Sequence, residues 1–98
     1  MSVAGGEHLT VLRRLAAQKA LSTKRDYFSI RQTCTPAQVA VFKDHKASFE
    51  TLIKEACTVK KAHLSVYAES ATLRIRKKHK VDLFCITVEV HVRREPQI

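Results

Sequence analysis

Glycine is nearly missing from this sequence of 98 residues, because it occurs only at Gly5 and Gly6, ahead of every predicted element. Phosphate-binding P-loops, dinucleotide-binding turns and nucleophile elbows all need glycine where the backbone approaches a ligand or turns sharply. The scarcity excludes these three kinds of enzyme site. We expect no catalytic residues and no enzymatic activity.

Closely spaced metal ligands are missing as well. Structural zinc sites take pairs of cysteines or histidines from a single turn, and the sequence contains no such pair. Cys85 and His91 are six residues apart, and six residues of a strand span about 20 Å, too far to chelate one ion. We expect neither a metal site nor a bound cofactor.

Disulfide pairs and membrane spans are not indicated. The three cysteines, Cys34, Cys57 and Cys85, are odd in number and widely spaced, which argues against a disulfide framework and favours a reducing compartment. No apolar run approaches the roughly 20 residues of a transmembrane helix. We expect an intracellular protein without a membrane span, in the cytoplasm or nucleus.

The mitochondrial matrix is an alternative location. Residues 8–25 contain no acid but carry cations among serines and threonines, which is the composition of a mitochondrial presequence. A basic surface helix of the mature domain explains the same residues. The sequence leaves both interpretations open.

Acidic residues are scarce, and the excess of cations is large. Lysine and arginine number 18 against 9 acidic residues, for a net charge of +9, and the excess is concentrated towards both ends of the chain. Such a balance raises the odds of a polyanionic partner.

The periodicity predicts a single basic α+β domain over residues 1–98, with a flexible start over 1–6. A helical pattern over 7–22 places Leu9, Leu12, Leu15, Ala16 and Ala20 on one face. Alternation over 27–33 predicts a strand. Thr35, Pro36 and Gln38 then form a capping box with proline at the first helical position, so a second helix begins at Pro36 and continues to about residue 59.

From residue 62 the period changes to two, which predicts three further strands joined by tight connections at Glu69-Ser70 and at residues 77–79. The order is α-β-α-β-β-β. We expect two helices on one face of a mixed, mainly antiparallel four-stranded sheet, with a right-handed crossover if the first two strands are parallel neighbours. The long last strand, over 81–93, needs a neighbour along its overhang: the first strand or a second chain.

The candidate site is a basic surface near the last predicted hairpin. Arginine side chains there can grip phosphate oxygens bidentately, and each neutralised phosphate releases counterions. A run of lysines in a turn is also common as a plain solvated loop. The predicted nucleic-acid-binding residues are Arg74, Arg76, Lys77, Lys78 and Lys80, extended by Arg93 at the end of the last strand and by Arg13 and Arg14 on the first helix.

These features favour a non-enzymatic nucleic-acid-binding module. Only Tyr67 and Tyr27 are candidates for exposed stacking platforms, so recognition through shape and phosphate is favoured over base reading, and structured or double-stranded RNA over DNA. The protein would then be an RNA-contacting subunit of a ribonucleoprotein. The alternative is a small adaptor subunit that docks or dimerises through its sheet.

Overall fold

A computed structural model of the protein describes residues 6–96, with side chains from residue 8 onward. Apart from Gly6, which begins the first helix, the flexible start predicted over residues 1–6 lies outside this range. The α+β class is confirmed. The elements are α1 (Gly6–Ser22), β1 (Tyr27–Cys34), α2 (Pro36–Asp44), α3 (Lys46–Ala56), β2 (Val59–Lys60), β3 (Leu64–Lys77) and β4 (Phe84–Pro96).

Helix α1 has the predicted bounds almost to the residue, and Leu12, Ala16 and Ala20 are fully buried. Leu15 was predicted on the same face, but 39% of it remains exposed. The reason is that Leu15 lies beside the outer edge of β1, where it lines a surface groove with Ile30, and does not lie over the sheet.

The capping box at the start of α2 is confirmed. The Thr35 hydroxyl accepts from the Gln38 backbone N–H at 3.4 Å, and the Gln38 carboxamide oxygen accepts from the Thr35 N–H at 2.8 Å. Two backbone donors that the first helical turn would leave without partners are thereby satisfied.

The single long helix predicted from Pro36 to about residue 59 is wrong, because it is divided at His45. His45 adopts φ −121°, far from the α-helical value near −63°. The change of direction lets both Phe42 and Phe49 enter the core, where their rings meet edge to face with centroids 5.1 Å apart. The second segment ends at Ala56, and Val59–Lys60 pairs with β3 as the short strand β2.

The sheet has the order β1-β4-β3-β2, and all three pairings are antiparallel. The expected mixed sheet and parallel crossover are therefore wrong for the described chain. The reason is that β1 pairs with β4 and not with the strand that follows α3: it lies antiparallel to β4 from Tyr27 opposite His91 to Cys34 opposite Phe84, and so is one of the two neighbours predicted for the last strand.

The tight turn predicted at Glu69-Ser70 is also wrong. Residues 64–77 form one strand that carries a bulge, since Ala68 pairs with Val92 and Ser70 pairs with His91, which leaves Glu69 as the extra residue. A bulge of this kind increases the local twist of a strand. The predicted turn after residue 77 is confirmed in place and is longer than expected, with Lys80 at φ 66°.

The two faces of the sheet differ sharply in polarity. One face carries the apolar stripe of β4, including Ile86, Val88 and Val90, all fully buried beneath the helices. On the opposite face, polar and charged side chains of β1, β4 and β3 point to solvent, as the strand period of two requires. We call this surface the open face.

Candidate nucleic-acid interface

The centre of the open face carries a cross-strand row of two arginines around a threonine. Arg31 of β1 and Arg74 of β3 both pair with Thr87 of β4, so the three side chains lie side by side on neighbouring strands. Arg76 follows two residues later on β3, opposite Cys85. We name Arg31, Arg74 and Arg76 the arginine cluster.

The arginine cluster surrounds a shallow depression of about 260 Å³, whose remaining lining residues are Cys85, Thr87 and Glu89. The small side chain of Thr87 leaves room between the longer arginines, and its hydroxyl can donate a hydrogen bond. All three arginines are exposed. The depression can therefore receive an oxyanion whose oxygens contact more than one guanidinium group.

Glu89 offsets part of this charge. Its Oε1 lies 3.3 Å from Arg74 Nε, with the arginine side chain 55% exposed, and exposed ion pairs of this kind are worth only about 1 kcal/mol or less. Arg31 and Arg76 form no ion pair with any side chain in the described range. A phosphate therefore meets two unpaired guanidinium groups and a third that is weakly held.

The β3–β4 connection extends the positive surface from the arginine cluster to the tip of the hairpin. Lys77 ends β3, and the Lys78 N–H donates to the Leu83 carbonyl at 2.8 Å, which closes the loop. Lys77, Lys78 and Lys80 are all exposed. Arg74 and Arg76 thus share the open face with Arg31. Alternation along β3 places Lys77 on the same face as Leu73 and Ile75, and Lys78 and Lys80 lie in the adjoining connection.

Arg93 shares the open face but lies away from this region. It is six residues beyond Thr87 on β4, or about 20 Å along the strand. Its guanidinium lies 5.2 Å from the centre of the Tyr67 ring and its Nε 3.1 Å from Glu95 Oε1. Arg93 therefore belongs to a separate group at the other end of the sheet.

Arg13 and Arg14 are not brought to the open face. Both are exposed residues of α1, and α1 packs on the opposite, apolar face of the sheet. The sheet separates them from the arginine cluster, so one flat surface cannot contact both sets. Their contact with nucleic acid stays a prediction.

An aromatic pair lies further along the open face from the arginine cluster. Tyr27 and His91 face each other across β1 and β4 with ring centroids 4.9 Å apart, and Tyr27 is 43% exposed. Tyr27 precedes Arg31 by four residues, or about 13 Å of strand. An exposed aromatic ring at this distance can stack an unpaired base while the arginines hold phosphates.

The structure adds Arg31 to the site. Alternation along β1 places it on the face opposite Phe28 and Ile30, but the sequence does not show which strand lies beside β1. Arg94 behaves in the reverse way: it neighbours Arg93 in the sequence, yet its side chain crosses to the helical side and donates hydrogen bonds to the carbonyls of Ala20 and Arg25.

Comparisons with protein-family models, curated proteins and solved structures found no match. Within the described chain no group of three or more histidine, cysteine or acidic side chains could hold a metal ion, and none of the helices there is long and apolar enough to cross a membrane.

Cys85, which lines the depression on the open face, differs from the other two cysteines in its exposure to a thiol reagent. Burial raises the pKa of the Cys57 thiol to about 11, and burial together with the nearby Cys85 raises the pKa of Cys34. Cys85 is only half-buried. Because the thiolate is the reactive form, we expect iodoacetamide at pH 8 to modify Cys85 alone in the folded protein. Mass spectrometry of the intact chain should show one adduct, and three after unfolding in denaturant; rapid double or triple labelling of the folded chain would contradict the burial of Cys34 and Cys57.

Proposed function

We propose that this protein is a non-enzymatic RNA-binding module that holds the phosphate backbone of structured RNA on its open face. The observation that carries the proposal is the arginine cluster, in which Arg31, Arg74 and Arg76 meet around Thr87 with a single ion pair to Glu89. The lysines of the β3–β4 loop continue the same surface. Together they gather the surplus of cations where a polyanion can meet them as a unit.

The shape of the open face favours RNA over DNA. β1, β4 and β3 span about 10 Å from the outer backbone to the outer backbone, and long arginines extend the surface on both sides. A face this broad fits poorly into the B-DNA major groove, which is about 12 Å wide. The wide, shallow minor groove of A-form RNA and the splayed bases of RNA loops accept a broad surface.

Titration of a labelled RNA hairpin at several salt concentrations tests the proposal. If about five phosphates are neutralised, the logarithm of the binding constant should fall with the logarithm of salt with a slope of about −4. The triple variant Arg31→Gln, Arg74→Gln, Arg76→Gln should lower that slope to between about −1 and −2, because each lost phosphate contact removes close to 0.9 from it. Affinity at fixed salt should fall by at least about tenfold.

A matched control removes the same charge outside the arginine cluster, from α1 and the connection that follows it. The variant Arg13→Gln, Arg14→Gln, Lys24→Gln loses three cations, as the first variant does, so overall charge does not distinguish the two proteins. The proposal expects only a small change in the control. Equal weakening in both variants would indicate non-specific attraction, and weakening in the control alone would transfer RNA binding to α1; either result overturns the proposed site. Duplex DNA of equal length, bound as tightly as the hairpin, would contradict the preference for RNA.

An adaptor function remains the alternative, with docking or dimerisation through the sheet. The outer edge of β3 is largely occupied: the Leu73 N–H donates to Glu50 Oε2 at 2.7 Å, and the Ala68 N–H donates to the Thr58 hydroxyl at 3.3 Å. Filled groups at this edge do not favour strand pairing of β3 with a second copy. We propose a reducing intracellular compartment for the protein, consistent with its three free thiols.

A further inference from the structure

The outer edge of β1 offers backbone groups to a partner. The Asp26 carbonyl accepts from the Val92 N–H, and backbone groups alternate in direction along a strand, so even-numbered residues face β4 and odd-numbered residues face outward. The Ser29 carbonyl confirms this alternation because it accepts from Lys19 Nζ at 2.9 Å. The outward-facing backbone groups are those of residues 27, 29, 31 and 33.

A groove runs along this edge, with α1 as its other wall. It consists of two depressions of about 530 Å³ and 360 Å³, which share Lys19 and Ser29 in their linings. The hydrogen bond from Lys19 to Ser29 thus lies between the two depressions. At the strand spacing of about 3.3 Å per residue, the outward-facing stretch of β1 accommodates an extended segment of about six residues.

The lining of the groove is basic and partly apolar. Lys19, Arg25 and Arg31 contribute the charge, Leu15 and Ile30 contribute apolar surface, and none of the described side chains that line either depression is acidic. Leu15 is 39% exposed, whereas Leu12, three residues earlier on α1, is fully buried. The groove thus combines a free strand edge, an apolar contact and cations.

We propose that the groove binds an extended acidic peptide segment of a partner protein, which adds to the sheet as a strand beside β1. Backbone hydrogen bonds to residues 29 and 31 would hold the segment, as in other cases of strand addition. An acidic side chain would draw Lys19 Nζ away from the Ser29 carbonyl, and an apolar side chain would cover Leu15. This site lies beside the open face and shares Arg31 with the arginine cluster.

Charge and backbone chemistry select this occupant. A second copy paired edge to edge would bring two basic groove walls together, because each copy contributes Lys19, Arg25 and Arg31, and like charges brought together across strands are destabilising. A nucleic acid satisfies the cations but cannot continue a ladder of alternating N–H and C=O groups. An acidic peptide can pair its carboxylates with the cations and its backbone with the outward-facing groups of β1.

The test uses the full chain and two labelled hexapeptides, one alternating glutamate with valine and one alternating lysine with valine. Fluorescence anisotropy should show binding of the acidic peptide at least about tenfold tighter than that of the basic one. Nuclear magnetic resonance should place the largest amide shifts at residues 27–33 and along the second half of α1. Equal affinity for the two peptides, or shifts confined to β3 and the β3–β4 connection, would overturn the proposal.

Two variants separate strand addition from simple charge attraction. Ser29→Pro removes an N–H that points outward and leaves the hydrogen bonds to β4 intact, and an edge strand tolerates proline at such a position. This variant should lower the affinity for the acidic peptide by about fivefold. Lys19→Glu reverses the charge of the lysine and should lower the affinity for the acidic peptide further. This second variant keeps the proposal testable if the proline variant misfolds. Unchanged affinity for the acidic peptide in both variants would contradict the proposal. RNA binding should be unchanged in Ser29→Pro, and RNA that displaces the peptide and shifts the same edge amides would reassign the groove to nucleic acid.

Discussion

Replacement of Phe42 by alanine should lower the free energy of unfolding by about 3–5 kcal/mol. Phe42 is fully buried and packs edge to face against Phe49 at the point where α2 gives way to α3. Its removal leaves a cavity between the two helices and takes away an aromatic pair, and the surrounding side chains can fill only part of the space. The total free energy of unfolding of a domain is about 5–15 kcal/mol, so this substitution would remove much of the stability.

Urea unfolding followed by circular dichroism measures this effect. Val81→Ala is a suitable control, because Val81 is 47% exposed in the β3–β4 loop and should change the free energy of unfolding by no more than about 0.5 kcal/mol. A cost below about 1 kcal/mol for Phe42→Ala would mean that the space between α2 and α3 is not packed as described.

The second large effect is expected at Arg94, where replacement by methionine should lower the free energy of unfolding by about 2 kcal/mol. Its guanidinium donates to the Arg25 carbonyl from two nitrogens, at 3.1 Å and 3.3 Å, and to the Ala20 carbonyl at the end of α1. Carbonyl groups in the last turn of a helix have no partner within the helix. Hydrogen bonds from a charged donor are worth about 1.5–3 kcal/mol, and methionine keeps most of the apolar stem while removing them.

Arg93 provides the matched control, since it has the same residue type, the same strand and the neighbouring position. Its guanidinium lies over the Tyr67 ring and pairs with the exposed Glu95 carboxylate, so Arg93→Met should lower the free energy of unfolding by less than about 1 kcal/mol. Thermal unfolding of both variants distinguishes them. If the two substitutions cost the same, Arg94 does not anchor α1 to the end of the sheet.

Features that depend on neighbouring residues could be predicted from the sequence. The capping box needs only Thr35, Pro36 and Gln38, and the structure contains it with both hydrogen bonds. The apolar stripe of β4 needs only alternation, and Ile86, Val88 and Val90 are buried as that pattern requires. In each case a short stretch of chain contains the complete physical cause.

The bulge at Glu69 shows where the alternation becomes ambiguous. Apolar residues occupy even positions up to Ala68 and odd positions from Leu73 onward. A hairpin turn explains this change of phase, and so does one extra residue in a continuous strand. The length of β4 favours the second explanation, because Phe84–Pro96 needs an equally long partner, and Leu64–Lys77 provides it. The absence of glycine near Glu69 points the same way.

The centre of the open face could not be assembled from the sequence, since it depends on contacts between distant segments. Arg31 joins Arg74 only because β1 pairs with β4, and no local pattern specifies that pairing. Leu15 illustrates the same limit for the core: its helical spacing matches that of Leu12 and Ala16, but the position of the sheet edge decides that it stays exposed.

The central position of β4 also affects the order in which the chain can acquire its structure during synthesis. β1 is the second of the described elements to leave the ribosome, and the strand that it pairs with is the last of them. Until that strand arrives, Phe28 and Ile30 have no sheet partner to cover them, and closing so long a loop is slow. The nascent chain must therefore keep β1 unpaired until β4 has left the ribosome, a period in which chaperones would have the best access to it.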